Sequence, residues 1–241
     1  MRHLVIVPLV GFLALIPIAR TQAAGAQTGS FTISENGQPV GSASLDFVPT
    51  PQGYDSHSLV RVNRQGLDYA LSKSEKLSSS NELRHVLLSA TVNGEAVAVT
   101  VAPDGTQILI NISANGRSTT TRLPHHAAAV FLPDFDPGAL ETLMTLAVEH
   151  NNRDLWAIIP KEAGSIEPIQ LATYADESGT LNGNPVTVHH VVIKFGSAHA
   201  DLFSGPANQL LQAELPQQGF ALVRKGFVLT PPAKAAAPPS Q

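Results

Sequence analysis

The side chains best suited to chemistry in this chain are its nine histidines, and two adjacent pairs of them stand out. His125-His126 runs ahead of Asp134 and Asp136. Imidazole and carboxylate together make a donor set that suits a divalent ion. The plainer reading of the same residues is a polar loop feeding a helix, with Asp136 as its cap. His189-His190 falls in a valine-rich segment that reads as a strand. Neighbours on a strand point to opposite faces, so these two rings cannot easily share one metal. The inward one reads as a hydrogen-bonded core histidine rather than a catalyst. Asp134, Asp136 and Glu141 form an acidic set that acid–base chemistry can use. They also fit an acidic helix start that complements the helix dipole. Phe131, Phe135, Trp156, Tyr174 and Phe195 suit either the wall of an apolar pocket or ordinary core.

Motifs that organise such side chains into a catalyst are missing. The chain has no G-x-S-x-G, H-E-x-x-H or S-x-x-K, and no phosphate-binding or dinucleotide-binding glycine loop. It has no cysteine, which excludes disulfides, thiolate metal sites and a thiol nucleophile. The expectation is a protein that is not an enzyme and carries no cofactor and no metal.

Composition bounds the partners. Net charge is −4, and the 15 Lys and Arg form no run. Nucleic acid and anionic membranes both want a clustered basic face, so neither is an expected partner. A 43% hydrophobic and 14% charged chain can build a packed core. Only 5% of residues are aromatic, which disfavours an exposed sugar-stacking platform.

Met1–Ala26 reads as a secretory signal: Arg2, an apolar run from Leu4 to Ala19, and the small-residue site Ala24-Gly25-Ala26. The apolar run is shorter than the ~20 residues that span a bilayer. Cleavage leaves no transmembrane candidate and places the protein in the periplasm or outside the cell. Residues 27–229 then form one β-rich domain, and 230–241 an extended or disordered Pro/Ala tail.

The elements that must position the side chains are mostly strands. Asn36-Gly37, Asn93-Gly94, Asp104-Gly105, Asn115-Gly116 and Asn182-Gly183 are two-residue hairpin turns by composition. Ile108, Ile110 and Ile112 alternate with mostly polar residues, as in a half-buried antiparallel strand. One helix interrupts the series. Asp136 caps it, Pro137 opens it, Leu140, Leu143, Met144 and Ala147 form its apolar stripe, and Asn151-Asn152 stop it. The predicted fold is mainly β: a curved antiparallel meander, or half-barrel, of roughly 11–14 strands, with one α-helix packed on the concave face.

Two stretches carry a resemblance. Phe31-x-Ile33-x-x-Asn36-Gly37-x-x-Val40-Gly41 is similar to the first hairpin of several secreted bacterial families. Leu210-Leu211-x-x-x-Leu215-Pro216 followed by Val223-Arg224 is similar to their closing strands. Those families resemble the periplasmic lipoprotein-carrier (LolA/LolB-like) superfamily, in which helices plug the apolar cavity of a half-barrel. The resemblance implies that an apolar, lipid-like ligand or a lipoprotein binds beneath the helix, at Leu140, Leu143 and Met144. Two alternatives stand beside it: an envelope structural or protein-interaction module, and a metal-assisted hydrolase using the histidines. A carrier needs an enclosed apolar cavity of several hundred Å³. An interaction module needs a filled core and an exposed apolar patch.

Overall fold

The structure is a computed structural model that describes residues 26–161 and 164–231. The signal segment, apart from Ala26, and the tail beyond Pro231 lie outside the described residues.

The chain opens with eight strands in an unbroken meander: β1 (Gln27–Glu35), β2 (Gln38–Thr50), β3 (Gly53–Arg64), β4 (Leu67–Ser78), β5 (Leu83–Val92), β6 (Glu95–Asp104), β7 (Gln107–Ala114) and β8 (Arg117–Pro124). Asn-Gly turns behave as their composition demands. At 36–37, 93–94, 115–116 and 182–183 both residues have positive φ, between 49° and 85°. That is the conformation whose twist matches antiparallel strands, and Asn and Gly tolerate it best. The turn at Asp104-Gly105 differs by one residue. Asp104 is still in β6, paired with Gln107, and the turn residues are Gly105 and Thr106.

A short parallel pair follows, β9 (Ala129–Phe131) with β10 (Trp156–Ile159), joined by β11 (Ser165–Pro168) into a three-stranded sheet. Between β9 and β10 lies the helix α1 (Pro137–Glu149), the only α-helix among the described residues. Asp136 caps it through Oδ1, which accepts from Gly138 N at 2.9 Å. His150 closes it, and Asn151 (φ 51°) and Asn152 (φ 61°) turn the chain left-handed, as their sequence predicts.

The remaining strands are β12 (Gln170–Thr173), β13 (Glu177–Leu181), β14 (Asn184–Phe195), β15 (Ala198–Ser204), β16 (Leu210–Leu215), β17 (Phe220–Arg224) and β18 (Phe227–Leu229). Residues 167–174 read as one strand in the sequence. In the structure they divide at Ile169: β11 belongs to the small sheet and β12 pairs with β14.

β17 pairs with β1, so the early meander and the late strands fuse into one 15-stranded antiparallel sheet. Its order runs β18-β13-β14-β15-β16-β17-β1 and on to β8, with β12 beside β14. The sheet is not closed; β8 and β18 are its two ends. The result is the expected mainly β half-barrel, with more strands than the sequence alone marks out. Inward residues alternate along the long strands and meet in a main core that runs from Phe31 through Val99 and Ile110 to Leu222, beside a second, smaller cluster of Val188, Phe203, Leu211 and Phe227. α1 packs on β2, β3 and β16, while the small sheet packs against β5 and β8. Together they cover the concave face.

Candidate functional site

The helix is more deeply set than an amphipathic stripe requires. Leu143, Met144 and Ala147 are buried as expected, but so are Ala139, Glu141, Thr142 and Leu146. Three polar fastenings hold it. At its start, Asp136 Oδ2 lies 2.6 Å from Lys73 Nζ, which also reaches Glu75 Oε2 at 2.8 Å. All three side chains are fully buried. In its middle, Glu141 Oε2 accepts from Leu210 N at 3.1 Å and faces Arg224 Nη2 at 3.4 Å. At its end, Glu149 accepts from Asn81 Nδ2 at 2.7 Å.

Burial would pull the Lys73 ammonium down, but Asp136 and Glu75 outweigh it and hold the pKa above its ordinary value. Burial pushes Glu75 up, against the pull of Lys73. The Asp136 carboxylate nearby adds to that push on Glu75. Burial also raises Glu141 to about 7, opposed by the Leu210 N–H and Arg224. The acidic set is therefore not an exposed helix start. Only Asp134 faces solvent, 3.1 Å from Lys161, while Asp136 and Glu141 are core anchors.

Beside the first turn of α1 lies an apolar chamber of about 100 Å³. Leu140 and Phe135 line it from the helix side, and Ile193, Phe195 and Leu222 from the sheet. Its space comes from small residues: Ala198 and Ala200 on β15 and Ala213 on β16 line it too. Phe135 takes φ 59°, a left-handed conformation that a bulky side chain adopts only under constraint. Its ring is held edge-on to Phe220 at 4.8 Å and to Tyr69 at 6.3 Å. A vestibule of about 360 Å³ adjoins the chamber, sharing Ile159, Lys161, Phe195 and Ala198 with it. The chamber alone falls short of the several hundred Å³ that a whole acyl chain needs.

The three residues expected to bind a ligand thus separate. Leu140 lines the chamber. Leu143 is wholly in the core. Met144 lines a second pocket, of about 360 Å³, at the other end of the helix.

The histidines go to different partners. His126 stacks on Trp156 at 3.8 Å, while Asp134 and Asp136 pair with lysines. His189 Nδ1 meets Asp176 Oδ1 at 2.8 Å. His190 lies between Tyr174 and Phe203, with Nε2 2.9 Å from Asp201 and Nδ1 3.2 Å from Glu177. Among the described residues no group of three or more His, Asp or Glu side chains is placed to hold a metal ion.

No known family, no curated protein and no solved structure matches this chain.

Among the described residues no helix is long and apolar enough to cross a membrane. The sequence reading missed the Lys73–Glu75–Asp136 cluster and its link to the helix. Its signal was present: Leu71, Lys73, Glu75 and Leu77 share one strand face, so two charges sit between two leucines on the inward side.

Proposed function

We propose that this chain is an exported binding protein, not an enzyme, that takes an apolar, lipid-like group into the chamber beneath α1. The observation that carries this reading is the alanine-walled chamber itself. It is a mainly apolar void lined by Leu140, Phe135 and Phe195, with Asp134, Lys161 and Gln218 also in its wall, and the vestibule adjoins it through four shared residues. Apolar area removed from water there contributes about 25 cal/mol per Å². The chamber accepts a short apolar end. The vestibule, with Lys161, Ser165 and Glu167, takes the rest of a longer chain or a polar head, free or on a lipoprotein. The resemblance of the first hairpin and closing strands to secreted families that are in turn similar to lipoprotein carriers points the same way. Native mass spectrometry of protein exported with its own leader tests the reading. A co-purified apolar ligand is the expected result.

A second reading, an envelope interaction module, draws on the convex face. Leu59, Leu87 and Val48 are 57%, 50% and 40% exposed there. An open groove of about 630 Å³, walled by small residues such as Ala70, Ser72, Ser89 and Ala98, lies beside Leu59. The groove with its exposed apolar edge at Leu59 is the surface this reading draws on. A ligand-free protein that is captured by an envelope partner and released by Leu59→Asp would favour this reading over the first.

A further inference from the structure

The second pocket, at the C-terminal end of α1, has a chemistry unlike the chamber. Its floor is apolar: Met144, Ala147, Leu171 and Val191. Its wall is polar. Ser204 and His189 face each other directly across β15 and β14, so both lie on the concave face. Ser204 is 1% exposed, lines the pocket, and its Oγ has no hydrogen-bond partner. A buried hydroxyl left unsatisfied is costly, and a ligand that supplies its partner recovers that cost. Asp176 fixes the His189 ring through Nδ1 at 2.8 Å. That leaves Nε2 as the ring atom available to a ligand. Thr173, Tyr174, Asn151, Asn152 and Asn208 add to the polar wall, as does His190, whose ring nitrogens already meet Asp201 and Glu177.

The electrostatics select among ligands. No Lys or Arg lines this pocket. Asp176 stands at its rim, and the helix presents its negative end, with Val148, Asn151 and Asn152 in the wall. A phosphate or carboxylate would meet no Lys or Arg and two repulsive elements. Hydroxyls both donate and accept, so they match a wall of amide, imidazole and hydroxyl groups. The apolar floor suits the C–H face of the same molecule. We propose that this pocket binds a neutral polyhydroxylated ligand, a sugar or polyol, through Ser204, His189 and the surrounding amides. The site is separate from the chamber and does not depend on it.

Titration of glucose, galactose and glycerol into the ¹⁵N-labelled protein, followed by amide chemical shifts, tests this. At least one of them should give saturable shifts centred on Ser204, His189 and Asn208. Glucuronate and glucose 6-phosphate should give none at the same concentrations. Ser204→Ala should weaken binding about tenfold, as loss of one buried hydrogen bond predicts. Thr173→Val removes a second hydroxyl at constant shape and should weaken it too, which keeps the test open if Ser204→Ala fails to fold. Ala198→Phe, which blocks the chamber, should leave these shifts unchanged, so failure of the lipid reading is distinguishable from failure here. Silence from all three neutral compounds, equal binding of the anions, or indifference to both substitutions would overturn the proposal.

Discussion

Lys73 shows how one buried charge organises a site. It bridges a strand carboxylate and the helix cap in a region with no water contact. Replacing it by Met leaves Glu75 and Asp136 buried without a cation, which should cost about 3–5 kcal/mol. Urea unfolding followed by circular dichroism measures that loss. Ser56 and Ser58 sit beneath the same helix turn. A Cβ on residue 138 would lie 2.5 Å from Ser58 Oγ and 2.9 Å from Ser56 Oγ, so any larger residue there must displace the two hydroxyls. Glu141 adds a pH dependence. Its pKa rises from 4.5 to about 7 on folding, because burial disfavours the anion more than Leu210 N–H and Arg224 favour it. A raised carboxylate pKa means that the folded state prefers the protonated form. The stabilisation is complete below about pH 4.5 and is lost as pH climbs toward 7. Thermal melts from pH 4 to pH 8 should show wild type losing stability relative to Glu141→Gln across that window. Parallel curves for the two proteins would remove Glu141 from the account. In the sequence only the cap was read, although the alternation of Leu71, Lys73, Glu75 and Leu77 already put two charges on an inward face. Charges at inward strand positions look like surface residues until a helix is known to cover them.

The helix is the element on which the site depends, and here the sequence was informative. Asp136, Pro137, the Leu143–Met144–Ala147 face and the Asn151-Asn152 stop all take the places their chemistry predicts. Leu143 is fully buried. Leu143→Asp should cost several kcal/mol, because an unpaired charge has no partner there. A neutral effect on the melting temperature would mean that the helix is not docked as described. The hairpins were equally legible, since Asn-Gly demands left-handed backbone at both residues. The one-residue shift at Gly105 was not, because Asp can end a strand as readily as start a turn. Nor was the division at Ile169, which depends on which sheet each half joins. At the open end, β8 leaves Arg117, Thr119, Thr120 and Arg122 exposed, with Thr121 half-buried. Charged and polar edges discourage strand-to-strand aggregation. Arg117→Val with Arg122→Val should therefore raise light scattering at high concentration without lowering the melting temperature.

Across the whole molecule, antiparallel pairing from β18 to β8 gives one curved surface whose ends never meet. The half-barrel was legible from turn spacing and alternation, because both report local geometry. The size of its interior was not. Cavity volume depends on which side chains meet across the concave face, and here Ala200 and Ala213 meet Phe135 and Leu140 only in three dimensions. The measurement that tests the central claim most directly is titration of a fluorescent fatty-acid probe against wild type and Ala198→Phe. Ala198 is only partly buried and lines both chamber and vestibule, so a phenyl ring there obstructs the passage with little disturbance of the core. Wild type should bind the probe saturably, and Ala198→Phe, with an unchanged melting temperature, should bind it at least about tenfold more weakly. Equal binding by the two proteins, or no saturable binding by wild type, would contradict an apolar ligand beneath the helix.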